Sequence, residues 1–135
     1  MALVKWRKKY SVGVKTLDYQ HRGLMRVLNE LHAAAMQGKV GEVAGPLLSQ
    51  AFCASREHFS TEEGLMESTK YPGLAEHRAI HRKLITKVSE FLARHDEGDI
   101  TSYVQLLYFV RDWFRDHMTE EDQKYTAWMN DHGVQ

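Results

Sequence analysis

The stretch R-E-H-F-S-T-E-E, residues 56–63, sets His58 and Glu62 four residues apart. On a helix that spacing stacks an imidazole over a carboxylate on one face. A nitrogen donor and an oxygen donor so placed form either a solvated surface contact or two neighbouring metal ligands. The other residues facing the same way decide between these. The chain has eight histidines, and five of them (His21, His58, His77, His81 and His117) fall in line with apolar residues. Singly, an inward-facing histidine reads as a hydrogen-bonded core residue, and H-x-x-x-H at His77 and His81 is a weak signal by itself. Five imidazoles and a carboxylate at one level of a core are different, because burying them is costly unless a metal satisfies them. His32, His95 and His132, at a helix end, in a loop and at the C-terminus, read as surface residues.

Such a set of donors needs elements to hold it. Leu17, His21, Leu24, Leu28, Leu31 and Ala35 recur at steps of four and three, which predicts an amphipathic helix over about 18–37 with Asp18 as its N-cap. A second helix, about 43–67, turns Leu48, Phe52, Ser55, His58, Phe59, Glu62, Leu65 and Met66 inward, and Pro46 is tolerable in its opening turn. A third, about 74–95, uses Leu74, His77, His81, Leu84, Val88 and Phe91 and stops at H-D-E-G-D. The fourth, about 101–129, uses Tyr103, Leu107, Val110, Phe114, His117 and Met118 and continues toward Trp128. Four helices of similar length with short connections predict an all-α, up-down-up-down antiparallel four-helix bundle. The expected organisation is a single domain over 1–135, in which residues 1–16 form an irregular N-terminal arm. Antiparallel packing brings the start of the first helix, the end of the second, the start of the third and the later half of the fourth to one end, so the five histidines and Glu62 converge.

Composition narrows the partners. Lys plus Arg and Asp plus Glu number 18 each among 135 residues, so no net excess points to nucleic acid or an anionic membrane. No segment approaches the roughly 18 apolar residues of a membrane span, and the N-terminus has no apolar run behind its positive charges. The chain reads as soluble and cytoplasmic. Cys53 is the sole cysteine, which excludes an internal disulfide and a cysteine-built zinc or iron–sulfur site.

One ligand position stays open on periodicity alone. After His117 come Met118, Thr119, Glu120, Glu121 and Asp122; ideal spacing favours Glu121 at i+4, while Asp122 at i+5 lies about 140° round the helix from His117.

The pattern of His21, H58-F-S-T-E62, Y71-P72, H77-R-A-I-H81 and W113-F-R-D-H117-M-T-E-E-D122 resembles the hemerythrin family in its single-domain bacterial form. The likeness covers nearly the whole chain, including Trp6, V12-G13-V14 and D18-Y-Q-H21 in and after the arm. It implies a non-haem di-iron centre with seven ligands. His77, His81 and His117 would hold one iron, His21 and His58 the other, and Glu62 and Asp122 would bridge both, with an oxo or hydroxo bridge completing the pair. The first iron is then filled by three histidines and three bridging oxygens. The second has two histidines and the same bridges, so a position stays open for a small ligand. The resemblance implies that dioxygen binds there, and it puts Leu24, Phe59, Trp113, Phe114 and Met118 on the oxygen-binding side.

Five neutral imidazoles and two carboxylates favour reversible binding over oxygen activation, which carboxylate-rich di-iron enzymes support with more anionic ligands. The glutamate-x-x-histidine signature of those enzymes is absent. The expected function is therefore reversible dioxygen binding for transport, storage or delivery, by a monomer, with an oxygen-consuming enzyme as a recipient. Alternatives using the same ligands are a di-iron peroxidase or nitric oxide-processing enzyme, or an oxygen or redox sensor, although no effector domain is attached here.

Overall fold

The structure, a computed structural model, describes residues 2–94 and 100–135. Among these residues it is helical: α1 (Lys15–Met36), α2 (Val40–Ser68), α3 (Leu74–Arg94), α4 (Ile100–Asp116), a π turn (His117–Glu121) and α5 (Gln123–Asp131). The arm adds one 3-10 turn, Lys8–Tyr10. α1 packs on α2 and α4, and α2 packs on α3, giving an all-α antiparallel bundle. The fourth helix of the sequence reading is α4 and α5 joined through the π turn. His95 and the H-D-E-G-D stop lie outside the described residues.

The beginning of α1 corrects one expectation. Asp18 does not cap the helix, which starts at Lys15 with Val14 in the cap position and no side-chain cap bond. Val14 and Leu17 are buried and continue the apolar stripe N-terminally, so the helix begins a turn early. The Asp18 carboxylate is then free for the arm, accepting hydrogen bonds from Ser11 Oγ at 2.6 Å and Val12 N at 2.8 Å. α2 likewise starts at Val40, which moves Pro46 from the opening turn into the second, where it leaves one backbone bond unmade.

The arm is fastened along its length. Val4 exchanges two hydrogen bonds of 2.9 Å with the Asn29 amide on α1. Farther on, Thr126 Oγ1 donates to Val12 O at 2.8 Å, and the arm then passes so close to α5 that a Cβ on Gly13 would lie 2.8 Å from Thr126 Cγ2. Gly13 also has φ +72, a left-handed backbone that glycine adopts without strain.

Two apolar layers result. One end is closed by Val12, Val14, Leu17, Met66, Tyr125 and Met129. The other layer, which includes Leu24, Leu28, Leu31, Leu107, Phe114 and Met118, fills the length of the bundle beyond. Leu17, Leu31 and Leu107 are at most 2 % exposed, and each such burial contributes about 1.5–3 kcal/mol. Between these layers every helix of the bundle contributes polar side chains.

Candidate metal centre

His21 sits between Leu17 and Leu24 on the inner stripe of α1; one layer of α2 supplies His58 and Glu62, and α3 supplies His77 and His81 at the same level. All are 4 % exposed or less, as are His117 and Asp122. Seven polar side chains in one dry layer require mutual or external satisfaction.

The π turn decides which acid of the last segment joins them. Asp122 N donates to His117 O at 2.8 Å, an i→i+5 bond that widens the helix by one residue. This carries Asp122 to the face of His117, with Asp122 Oδ1 2.9 Å from His117 Nε2. Glu121, the choice of ideal spacing, instead turns toward Lys124 and pairs with it at 3.0 Å. The carbonyl of Met118 within the turn accepts a hydrogen bond from Gln123 Nε2 at 3.0 Å, and the same amide nitrogen reaches Ser11 O in the arm at 2.9 Å.

Each carboxylate turns one oxygen to each of two groups of imidazoles. Glu62 Oε1 meets His77 Nε2 in a very short contact and His81 Nε2 at 3.2 Å, while Oε2 lies 3.2 Å from His58 Nε2 and 4.0 Å from His21 Nε2. Asp122 Oδ1 faces His77 and His117 at 3.2 and 2.9 Å, and Oδ2 faces His21 at 3.5 Å. The imidazoles themselves approach nitrogen to nitrogen: His21 and His58 at 2.8 Å, His81 and His117 at 3.2 Å. Two groups of potential ligands follow, Glu62 with His77, His81, His117 and Asp122, and Glu62 with His21 and His58.

The electrostatics are those of a site short of cations. Burial and the neighbouring His58 lower the His21 imidazole to about 4. Burial also pushes His77 down, yet the adjacent carboxylates of Asp122 and Glu62 carry it up to about 9. Burial would raise Glu62, but hydrogen bonds from His58, His77 and His81 hold it well below the usual carboxylate range. Despite the short distances, neither oxygen of Asp122 makes a hydrogen bond of acceptable geometry. Two buried carboxylate oxygens without donors, beside Nε2 atoms that converge on them, fit a pair of divalent or trivalent cations better than any hydrogen-bond scheme.

Behind these groups stands a second set of polar contacts. His58 Nδ1 meets Gln20 Oε1 at 2.8 Å, and Gln20 is itself held by its bond to Thr61 Oγ1 at 3.1 Å. His81 Nδ1 meets Glu63 Oε2 at 2.9 Å, and Arg78 Nε donates to the other Glu63 oxygen at 2.9 Å. Tyr125 OH donates to Glu62 Oε2 at 3.0 Å, and burial with Asp122 and Glu62 nearby raises its pKa well above the ordinary value. The sequence reading missed Gln20, Glu63 and Tyr125. Gln20 and Glu63 adjoin His21 and Glu62 in the chain, and that adjacency was the signal for them; Tyr125 continues the inward stripe one turn past Asp122.

The aromatic residues take definite sides. Phe59 stacks on His81 with centroids 3.8 Å apart, Trp113 stacks on His117 at 4.4 Å, and Phe114 lies nearly perpendicular to His21 at 5.3 Å. A cavity of about 60 Å³ reaches His58 and His117 and is lined by Leu24, Phe59, Trp113 and Phe114 among others. Met118 is fully buried in the core with Phe114 but does not line this cavity. His32 is half-buried against Tyr108, and His132 is exposed and stacked on Trp128; both lie away from the centre.

A layer of this kind has known relatives. The family described as the hemerythrin HHE cation binding domain matches residues 12–129. The chain belongs to the hemerythrin family. It is 31 % identical to a bacteriohemerythrin of Stenotrophomonas maltophilia over 98 % of this chain and 85 % of that protein. Identity to a hemerythrin of Sipunculus nudus is 28 %, over 89 % of this chain and 88 % of that protein. A crystal structure of wild-type hemerythrin superposes with a TM-score of 0.81 at 28 % identity, covering 95 % of this chain and 98 % of the other. This family membership and the buried His, Glu and Asp cluster together are consistent with oxygen binding at a metal site, and iron is the metal typical of hemerythrins. No helix among the described residues is long and apolar enough to cross a membrane.

Proposed function

We propose that this hemerythrin binds dioxygen reversibly at a di-iron centre and acts as a cytoplasmic, monomeric carrier or store that delivers oxygen to a consuming enzyme. His77, His81 and His117 would hold one iron and His21 and His58 the other, with Glu62 and Asp122 shared. The observation that carries this reading is the division of each carboxylate, one oxygen toward each imidazole group. When bound, the irons would supply the two electrons that dioxygen takes up and returns.

The protein side of that chemistry is positioning and exclusion. Gln20 and Glu63 fix the rings of His58 and His81 by holding their Nδ1 atoms, so each presents Nε2 inward. Tyr125 holds its phenolic proton against Glu62 Oε2 and so keeps that carboxylate in one orientation. Leu24 and Phe114 line the chamber where it reaches His58, and its walls are apolar apart from Ser55 and the imidazoles of His58 and His117. Dry apolar walls favour return of oxygen over its loss in protonated, reduced form. A carrier needs those properties, whereas a peroxidase or nitric oxide-processing enzyme needs repeated electron and proton supply.

The test is elemental analysis followed by a spectral cycle. Iron-replete protein should hold two irons per chain and pass repeatedly between deoxy and oxy spectra without net consumption of reductant. Steady turnover of peroxide or nitric oxide would favour the enzyme reading, and a stoichiometry fixed near one, or zinc without charge-transfer bands, would remove both.

A further inference from the structure

The neutrality of the chain hides a strong asymmetry. The first 26 residues carry seven of the 18 cations and one of the 18 acids, so the remainder holds the compensating acidic excess. The structure brings Lys5, Arg22 and Arg26 to one groove between the arm and α1. The arm contributes Lys5, Arg7, Lys8 and Lys9, all exposed, and α1 contributes Lys15, Arg22 and Arg26 at spacings that keep them on its outward stripe. The one acid among them, Asp18, is engaged by Ser11 and Val12, and the next on α1, Glu30, comes one turn beyond Arg26.

Folding the arm back over this helix brings like charges together, which costs free energy by itself. The fold offsets that cost with the Val4–Asn29 clamp, the burial of Val4 and Tyr10, and the stacking of Arg22 on Trp6 at 4.5 Å. Arm and helix then flank a groove of about 580 Å³ bordered by Lys5, Trp6, Arg22, Met25 and Arg26. None of the seven cations has a carboxylate partner among the described residues. Arg22 is held over Trp6 and Lys9 over Tyr10, and all seven are unneutralised.

We propose that the face made by the arm and the outward stripe of α1 is a docking surface for an acidic protein. Charge complementarity selects the sign of the partner. The asymmetry selects its extent: a long polyanion such as duplex DNA or an anionic bilayer would meet the acidic remainder as well as the basic end, whereas a discrete acidic patch meets the basic end alone. A bilayer is disfavoured further because Trp6, the one aromatic ring of the groove, is half-buried against Tyr10 and Arg22 and so is not free to insert. The groove suits a protruding acidic loop. His21 lies on the opposite side of the same helix, one helix diameter or roughly 10 Å away, so a protein docked here would sit beside the two-histidine half of the centre. That this partner exchanges oxygen or electrons with the centre rests on the function proposed above; the docking itself does not.

The experiment is a titration of isotopically labelled protein, iron-loaded and iron-free, with an acidic plant-type ferredoxin as the probe, followed by amide shifts. Shifts confined to the arm and to the outward residues of α1, weakening as salt is raised, are expected in both forms. Lys5→Glu with Arg26→Glu should weaken binding roughly tenfold or more, and Lys5→Arg with Arg26→Lys should retain it. Shifts scattered over the surface, no salt dependence, or tighter binding to phosphatidylserine vesicles or duplex DNA than to the ferredoxin would overturn the proposal. A protein that binds the ferredoxin in both forms but never cycles oxygen would remove the carrier reading and leave the docking face standing.

Discussion

The two halves of the centre are built differently. The half formed by His77, His81 and His117 is backed on several sides: Glu63 and Arg78 behind His81, Phe59 flat on His81, and Trp113 flat on His117. The half formed by His21 and His58 has one fewer imidazole. Each half has one held Nδ1, His58 by Gln20 and His81 by Glu63, and one buried Nδ1 without a partner, that of His21 and that of His117; but no ring stacks on His21, which Phe114 meets nearly perpendicular. One half is thus braced by stacked rings, and the other has one donor fewer; the apolar chamber reaches both, at His117 and at His58. On the function proposed above, a small ligand would take the second, for the same reason that a catalytic zinc site keeps a position that a structural one fills.

The most severe way to break this comparison is to remove what both halves share. Asp122→Ala should reduce iron from two per chain to one or none, because the remaining bridge cannot hold the pair, whereas Glu121→Ala should keep both; iron analysis with absorption spectra decides it. The reverse ranking would mean that Asp122 is not a ligand.

Next in size are the braces. Glu63→Ala and Gln20→Ala should each lower iron retention by about 10–100-fold, with Glu63 the larger because its charge acts on the braced half. Competition with a chelator measures this, and equal, negligible effects would show that ring orientation is set by packing alone.

A smaller change sharpens the contrast at the open side. Phe114→Ala should speed oxygen release and autoxidation several-fold with iron content unchanged, as read by stopped flow and by decay of the oxy spectrum. If neither rate moves with the site intact, Phe114 does not line the path.

The smallest effect is expected from Asp18→Ala. It removes two arm contacts worth about 1 kcal/mol each, so melting should fall by a few degrees while iron and spectra are kept. Loss of iron at unchanged melting temperature would mean that Asp18 supports His21 after all.

The bundle and most of the candidate centre were legible because their signals are periodic. His21, His58, His77, His81 and His117 each stand one turn from apolar residues on stripes that the structure buries. The acid after His117 was not legible from periodicity, since a π turn changes the period itself, and only the family pattern favoured Asp122. Asp18 was misread for a related reason. An acid ahead of an apolar stripe looks like a cap, but Val14 and Leu17 had already begun the helix, and the true partners, Ser11 and Val12, lie in an arm with no period to read. The basic face was hidden because a sum over the whole chain averages an asymmetry to zero.

The widened turn at His117–Glu121 also makes the segment's response to length change one-sided. Along an ordinary helix each residue is worth about 100° of rotation. Deleting Thr119 or Glu120 would let the turn close to α geometry with the aspartate at i+4, still on the face of His117, whereas one further insertion would swing Tyr125 and Met129 off the layer that seals the end of the bundle. A connection between helices absorbs such an event, but here the four residues between His117 and Asp122 act as a ruler. Lineages of this chain should therefore keep an apolar residue at Met118 and shorten the interval by one residue more readily than they lengthen it.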